Sequence, residues 1–594
     1  MLAPDTRRTL LDQLRPPEGY RLDAAVGTTF TLDLTAALVP PLAFASFAVR
    51  STTDPISVLE AVRSCTDRVD VFAQEGNIRA PSRYSDMMAF LEPMVHDVKA
   101  PPGGLFHPKL WFLRFTAEGE PDAYRLVVLS RNLTEDHAWD VSLTLEASRD
   151  THPSALNRPL SALIRSLPDR TRQDVPADRR ARIDQLAEDA RYLEWELPDG
   201  ATQVAFHVFG LQGQRATPDF TGYRHLVVSP FLNDDGLDLI TAGSRDTTVV
   251  SRPLALDQLR PDTIATLTDT YVVSTVAGLD DGDTHADDAP APLLSDLHAK
   301  LVGVERGQQA HLFLGSANAT DAALRRNVEI LVELTGGKTK LGVGTMLDPD
   351  SPFLGMLEAY DTPGGVAPDL DAEAMWQLEN TLRTLASRGW VVSVRRSGDA
   401  YSLRLETRDA ATVPAGMTAQ AEPLAHPGAA VSVLDGDVQH GTVQGVPLLE
   451  VGPFLRLRLA DESGREAVCV VRAELRGDPE GRLDEVLASQ INTPEKFLRF
   501  LALLLGLGQS HPLALLGLGE GASTPGGGLA PAPQVFEIVI RALARSPESI
   551  DDLDRLVQRM LATETGAANL PEGFAAFWDV VTTSRARLTE RATR

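Results

Sequence analysis

The sequence predicts an α/β protein: two pseudo-twofold-related α/β/α halves, followed by a small β domain and a C-terminal helical region. Three observations predict it. His-x-Lys occurs twice, as His107-Pro108-Lys109 and His298-Ala299-Lys300, 191 positions apart (298 − 107). Each copy opens a hydrophobic run, and the next such run ends in Ser-x-Asn: Ser130-Arg131-Asn132 and Ser316-Ala317-Asn318. Around both copies, β-rich apolar runs alternate with helical patterns, whereas after residue 340 the texture changes.

Chance does not account for the doublet. The 594 residues hold 12 His and 6 Lys, so a random chain would carry His-x-Lys about 0.12 times. The other 50 of the 56 basic residues are Arg, which marks the lysines as places where a compact ammonium is wanted instead of a planar guanidinium fork.

Taken in order, residues 1–150 form the N-terminal half: "TTFTLDL", a helix around 52–64, "VDVFAQ", a helix around 83–95, then "LFHPKLWFLRF" and "YRLVVLS". Residues 151–200, rich in Arg, Asp and Glu, read as a helical insertion that shapes the cleft. Residues 201–340 repeat the first order with "YRHLVVSPF", "TTVVS", "LHAKLVGVE" and "AHLFLGS", an internal repeat carried by motif placement more than by identity. A helical connector (341–389) leads to a small β domain (390–478) with turns at Asp435-Gly436 and Ser463-Gly464. The helical region 479–594 is interrupted by "EGASTPGGGLAPAP" (520–533), and Ser546-Pro547 suits an N-cap and first helical residue.

Composition narrows the class. At 43% hydrophobic and 23% charged, the chain reads as globular and multi-domain. Two cysteines, Cys65 and Cys469, offer no disulfide framework and suit a reducing cytoplasm; the first residues lack a secretory signal. The longest apolar stretches, 36–49 and 497–508, are broken by prolines and by Arg499, so no membrane span is expected. A net charge of −26 argues against nonspecific adhesion to DNA or anionic lipid and leaves room for a small local basic cleft.

In a strand, residues i and i+2 point to the same side, so the spacing predicts strands in which His107 projects with Lys109 and His298 with Lys300. Each Ser-x-Asn turn adds hydrogen-bond donors. Face to face about a pseudo-twofold, the halves bring two imidazoles, two ammoniums and two amides to a point suited to a phosphoryl group. One histidine attacks phosphorus and the other protonates the leaving oxygen, while Lys109, Lys300, Asn132 and Asn318 stabilise the charge that develops. No metal or cofactor is required, and either histidine could lead.

Here "HPK…LSRN" and "HAK…GSANAT…NVE" resemble the paired motifs of the phospholipase D superfamily, over about residues 27–335. The resemblance implies two phospholipase-D-like halves and a phosphohistidine intermediate formed without a metal. It implies His107 as nucleophile and His298 as general acid, with Ser130, Ser316 and Glu329 as substrate-binding residues. The superfamily's acidic residue five positions after Lys is Arg114 in the first half and Glu305 in the second. That pattern is more similar to the tyrosyl-DNA phosphodiesterase branch and to bacterial phospholipase-D-like nucleases. The expectation is a cytoplasmic nuclease acting on DNA, the effector of a bacterial antiviral defence or DNA-processing system, with a protein partner that delivers DNA. The alternatives are a phospholipase or small-phosphodiester hydrolase, and a non-catalytic subunit that holds nucleic-acid ends.

Weaker signals are given bland readings. The acidic segment 278–292 lacks the ligand order of a calcium loop and reads as a solvated loop, with a metal loop, a lid or a phosphate-backbone mimic as the alternatives. His137 and Trp139 read as packing residues, with base stacking as the alternative. The Arg-bearing run 388–408 reads equally as a solvated β face or a nucleic-acid-facing strand. His207, His311, His440 and His511 are read as structural.

Overall fold

The computed structural model describes residues 10–38, 40–41, 44, 66–81, 84, 86–134, 138–211, 218–274, 296–483, 485–486, 554, 557–558, 561, 570 and 573–592. The expected helix at 52–64, the segments 278–292 and 520–533, Ser546-Pro547, Cys65, His137 and His511 lie outside the described residues. The fold is mixed α/β, with several sheets and few helices.

The first sheet is built from β1 (Arg21–Thr29), β3 (Val69–Gln74), β5 (Val95–Val98), β6 (Leu110–Thr116), β7 (Ala123–Leu129), β8 (Ser142–Arg149) and β9 (Leu193–Trp195). Its order is β5-β3-β1-β6-β7-β8-β9, parallel through β5, β3 and β1 and antiparallel from there. Two two-residue strands, β2 (Leu32–Asp33) and β4 (Ile78–Arg79), stand apart from it.

The second sheet comprises β10 (Ala201–Phe209), β11 (Arg224–Val228), β12 (Asp246–Val250), β13 (Asp269–Val273), β14 (Leu301–Arg306), β15 (Gln309–Gly315), β16 (Glu329–Gly337) and β17 (Leu357–Ala359). Read from its other edge, β17-β13-β12-β11-β14-β15-β16-β10, it is again parallel through β13, β12 and β11 and antiparallel beyond, with β17 as an extra edge strand. Strand β6 therefore answers to β14, and β7 to β15.

Strand alternation divides the side chains. Leu110, Phe112, Leu126 and Val128 of the first sheet join Leu312, Leu314, Ile330 and Val332 of the second in one continuous core. Into that core α1 (Arg158–Arg170) inserts Leu160, Leu163, Ile164 and Leu167, and α2 (Ala177–Ala190) inserts Ile183, Leu186, Ala187 and Ala190. Both sets follow the i, i+3, i+4, i+7 spacing of an amphipathic helix. The odd positions Trp111, Leu113 and Phe115 face outward into a second core, while Val302, Val304 and Phe313 pack under α3 (Asp234–Thr241). A second short helix, α4 (Asp321–Arg325), precedes β16.

Three expectations need correction. Full α/β/α layering does not describe the first half: among the described residues its outer face is packed by short helical turns, irregular chain and the C-terminal helix, whose Trp578 is fully buried there. The helix expected at 83–95 is a 3₁₀ segment, Asp86–Leu91, followed by β5; Pro93 lacks the N–H that a continuing helix would need. His107 and Lys109 do not lie in a strand. Each His-x-Lys is the extended chain entering β6 or β14.

The following module packs α5 (Leu370–Ala386) on two sheets made of β18 (Trp390–Ser397), β19 (Ala400–Thr407), β20 (Met417–Pro423), β21 (Val431–Ser432), β22 (Gln439–Val446), β23 (Phe454–Asp461), β24 (Glu466–Arg472) and β25 (Glu474–Arg476). Gly436 and Gly464 take positive φ at its two expected turns. The module is not free-standing. Strand β24 pairs with β4 of the first half, and Arg482 forks onto Glu92 in a buried ion pair, Nη2 to Oε2 2.6 Å. The Arg-bearing run 388–408 is its β18–β19 hairpin, where Arg404 and Arg408 pair with Glu406 and Glu474. Among the described residues no helix is long and apolar enough to cross a membrane.

Candidate active site

The two sheets meet where chain enters β6 and β14, and each entry segment is zipped to the opposite half. In the first, Phe106 bridges Val328: the Val328 N–H donates to Leu105 O (2.7 Å), and the His107 N–H donates to Val328 O (2.9 Å). In the second, Leu297 bridges Trp139: the Trp139 N–H donates to Asp296 O (2.8 Å), and the His298 N–H donates to Trp139 O (2.7 Å). The pattern is the same. Gly104 permits the first approach, because a Cβ there would lie 2.1 Å from Arg326 O.

His107 carries the best-defined partner. Its Nδ1 lies 2.9 Å from Glu329 Oε2 across the halves. The carboxylate is fully buried, and Ser316 Oγ (2.5 Å) and Asn327 Nδ2 (3.1 Å) also donate to it. An ionised carboxylate can only accept, so Nδ1 carries the proton and Nε2 keeps its lone pair. The Phe30 ring stands edge-on to the imidazole at 5.0 Å. Burial pushes the His107 pKa down to about 4, with Lys109 and Lys300 adding to that effect and Glu329 opposing it. The ring is neutral at pH 7.

The lysines are buried ammoniums held by carbonyls. Lys109 Nζ donates to His107 O (3.0 Å); Lys300 Nζ donates to His298 O (2.8 Å) and, across the halves, to Ser130 O (3.3 Å). Only 2% of Lys109 and 4% of Lys300 is exposed. Removing an ammonium from water without a full counter-charge is costly, so the protonated form is disfavoured. Burial moves Lys300 down to about 7, and burial plus Lys300 moves Lys109 well below its ordinary value. An anion entering the site would favour the protonated form of Lys300.

Ser130 and Ser316 are fully buried. Ser130 Oγ accepts from Val141 N (2.8 Å) and Ser316 Oγ from Ile330 N (3.0 Å), so each serine ties its turn to the next segment. Ser130, Ser316 and Glu329, expected to bind substrate, make the contacts described here within the protein. Asn132 Oδ1 accepts from Thr31 N (3.3 Å), whereas the sheltered Asn318 Oδ1 has no protein partner. His298 is half-buried.

The positions five after each lysine turn away. Arg114 bonds Asp23 and Asp189, while Glu305 accepts from the Tyr223 hydroxyl (2.8 Å) and Gly344 N (2.9 Å). Trp139 stacks on Phe353 at 5.9 Å, the packing role expected of it. His207 and His311 share Glu333, and His440 bonds Thr407, all outside this site.

Sequence reasoning missed three residues. Asp140 follows Trp139 as Glu329 follows Val328, which makes it the first half's counterpart of that carboxylate. Burial raises its pKa, against Arg131 and Lys300. The duplication hid it because Asp140 stands 10 positions after Ser130 while Glu329 stands 13 after Ser316, with α4 filling the longer gap. Thr29 and Ser229 close β1 and β11. Thr29 Oγ1 accepts from Leu133 N (3.0 Å) and Ser229 Oγ from Ala319 N (3.0 Å), each pinning the residue after the turn asparagine.

No family model matches the chain, and no curated protein matches it. Among solved structures, the chain is similar to yeast tyrosyl-DNA phosphodiesterase, with TM-score 0.35 and 11% identity over 57% of this chain and 88% of that one. A histidine-to-alanine mutant of the yeast enzyme gives TM-score 0.35 and 10% identity over 59% of this chain and 95% of that one. A histidine-to-asparagine mutant gives 0.35 and 10% over 57% and 88%. Likeness at these TM-scores leaves the functional case to the side chains.

Proposed function

We propose that this protein is a phosphodiesterase of the phospholipase D type, a nuclease that hydrolyses DNA through a phosphohistidine intermediate without a metal. The observation that carries the reading is the bond between His107 Nδ1 and the buried Glu329 of the other half, which leaves Nε2 its lone pair on an imidazole that feels two buried lysines. His107 Nε2 attacks phosphorus, the P–O bond to the leaving group breaks, and His298 gives that oxygen its proton. In the second step His298 takes a proton from water, the water oxygen attacks phosphorus, and the P–N bond breaks to restore His107. Glu329 stabilises the imidazolium character that His107 gains. Lys109, Lys300 and the amide of Asn318 offset charge on the phosphoryl oxygens.

The setting we propose is a multi-subunit bacterial defence or DNA-processing assembly, in which another subunit brings DNA to a chain of net charge −26. The test is cleavage of labelled single- and double-stranded DNA in excess EDTA by wild type, His107→Asn and His298→Asn. Cleavage that persists in EDTA and falls by about 10⁴-fold or more in both variants is expected. Binding without cleavage by all three, or cleavage indifferent to both substitutions, would overturn the reading.

A further inference from the structure

Phe231 is 52% exposed, the only phenylalanine so exposed among the described residues, yet it is held in place. Ser229 Oγ donates to its carbonyl (2.6 Å), and the next residue, Leu232, bridges Ala319, which follows Asn318. The guanidinium carbon of Arg252 sits 4.4 Å from the ring centroid. Arg252 in turn donates to Leu297 O (3.0 Å), immediately before His298, and pairs with Asp296 (2.6 Å). The ring is thus fixed between the segment carrying His298 and the turn carrying Asn318.

The duplicated scaffold supplies a control. Thr29 Oγ1 donates to Thr31 O (2.7 Å) as Ser229 Oγ donates to Phe231 O, so the first half carries Thr31 where the second carries Phe231. The backbone device does not demand an aromatic residue. The first half's own ring, Phe30, stands one position earlier and faces inward on His107 and Lys109, whereas Phe231 has a cation on one face and is open to water, which suits a flat neutral partner.

We propose that Phe231 is a stacking platform for an unpaired nucleobase next to the scissile phosphate, which makes single-stranded DNA or an unpaired end the substrate. The proposal rests on the nuclease reading above. A base inside a duplex already has both faces covered and cannot use the platform, whereas every unpaired base offers a π face. Leu254, also exposed and two residues beyond Arg252, makes lipid the competing outcome.

The test compares wild type, Phe231→Ala and Phe231→Trp on a single-stranded oligonucleotide and on the same oligonucleotide made abasic, one position at a time, on either side of the scissile phosphate. Phosphatidylcholine vesicles run in parallel. Phe231→Ala is expected to raise KM for the intact strand by about 5- to 100-fold with a smaller effect on kcat, and Phe231→Trp to restore it. One abasic position should abolish the difference between wild type and Phe231→Ala. A wild type that cleaves the strand with KM indifferent to Phe231→Ala, or a penalty that persists at both abasic positions, overturns the platform while leaving the nuclease intact. Hydrolysis of vesicles and not of DNA overturns both.

Discussion

The two halves of the site share their hydrogen-bond scaffold and differ in what stands on it. In both, a hydroxyl at the end of the central strand pins an asparagine turn, a serine ties that turn to the next segment, and the histidine is zipped to the opposite half. The carboxylates are not alike. Glu329 is sealed from water and gives Oε2 to His107 and Ser316, whereas Asp140 is half-buried and shares Oδ2 with Arg131 at 3.3 Å. The shared hydrogen bonds supply geometry, and in the mechanism proposed above the sealed carboxylate suits the histidine that carries positive charge through a covalent intermediate.

Substituting the two carboxylates separately tests that inequality with the largest expected effect. Glu329→Gln keeps an acceptor for His107 Nδ1 but removes the charge that stabilises the imidazolium, and should lower single-turnover cleavage by about 10³-fold. Asp140→Asn should cost about 10- to 100-fold, because Arg131 already draws on that carboxylate. Labelled phosphate retained on the protein should appear more slowly in Glu329→Gln. Equal losses from the two variants would break the distinction between halves.

The residues proposed to meet a phosphoryl group were legible because local spacing brings them together. His-x-Lys places two side chains on one side of extended chain, and a turn after the next strand returns Ser-x-Asn to the same end of the sheet. Asp140 was not legible, because its place is set by pairing across halves and α4 changes its offset from Ser130. Thr29 and Ser229 lie about 100 and 90 positions from the amides they bond. No sequence window contains both partners. The segment 83–95 misled for a different reason: its apolar spacing suits a helix, but Pro93 ends the turn and leaves the β-branched Val95 and Val98 to join the sheet.

The lysines give a second way to sharpen the comparison. Lys300, at about 7, is partly protonated at neutral pH; burial and the neighbouring Lys300 also hold Lys109 well below its ordinary value. A phosphodiester is anionic throughout this range and binds best to protonated lysine. Affinity should therefore fall as pH rises through about 7, by up to about tenfold per pH unit for one linked proton. The direction is set by a proton gained on binding. Oligonucleotide Kd measured on the non-cleaving His107→Asn variant should show this slope, and Lys300→Met should flatten it near pH 7 while Lys109→Met weakens binding and keeps it. A flat profile in the parent variant would show that Lys300 does not titrate there.

The smallest effect separates the scaffold from what it carries. Ser229→Ala and Thr29→Val each strip one hydroxyl from beneath an asparagine turn and leave Ala319 N or Leu133 N without its acceptor, a cost of about 1–3 kcal/mol. Both should lower Tm by a few degrees and turnover by a few-fold, to similar extents if the halves are equivalent in scaffold. Only Ser229 also holds the Phe231 carbonyl, so only Ser229→Ala should raise KM for a base-bearing strand beyond its effect on the abasic one, and Ser229→Thr should recover it. Because the stability losses match and the KM effects do not, melting and kinetics on the same two proteins distinguish a duplicated support from an unequal surface. A matching KM effect from Thr29→Val would mean that the first half presents the strand as much as the second does.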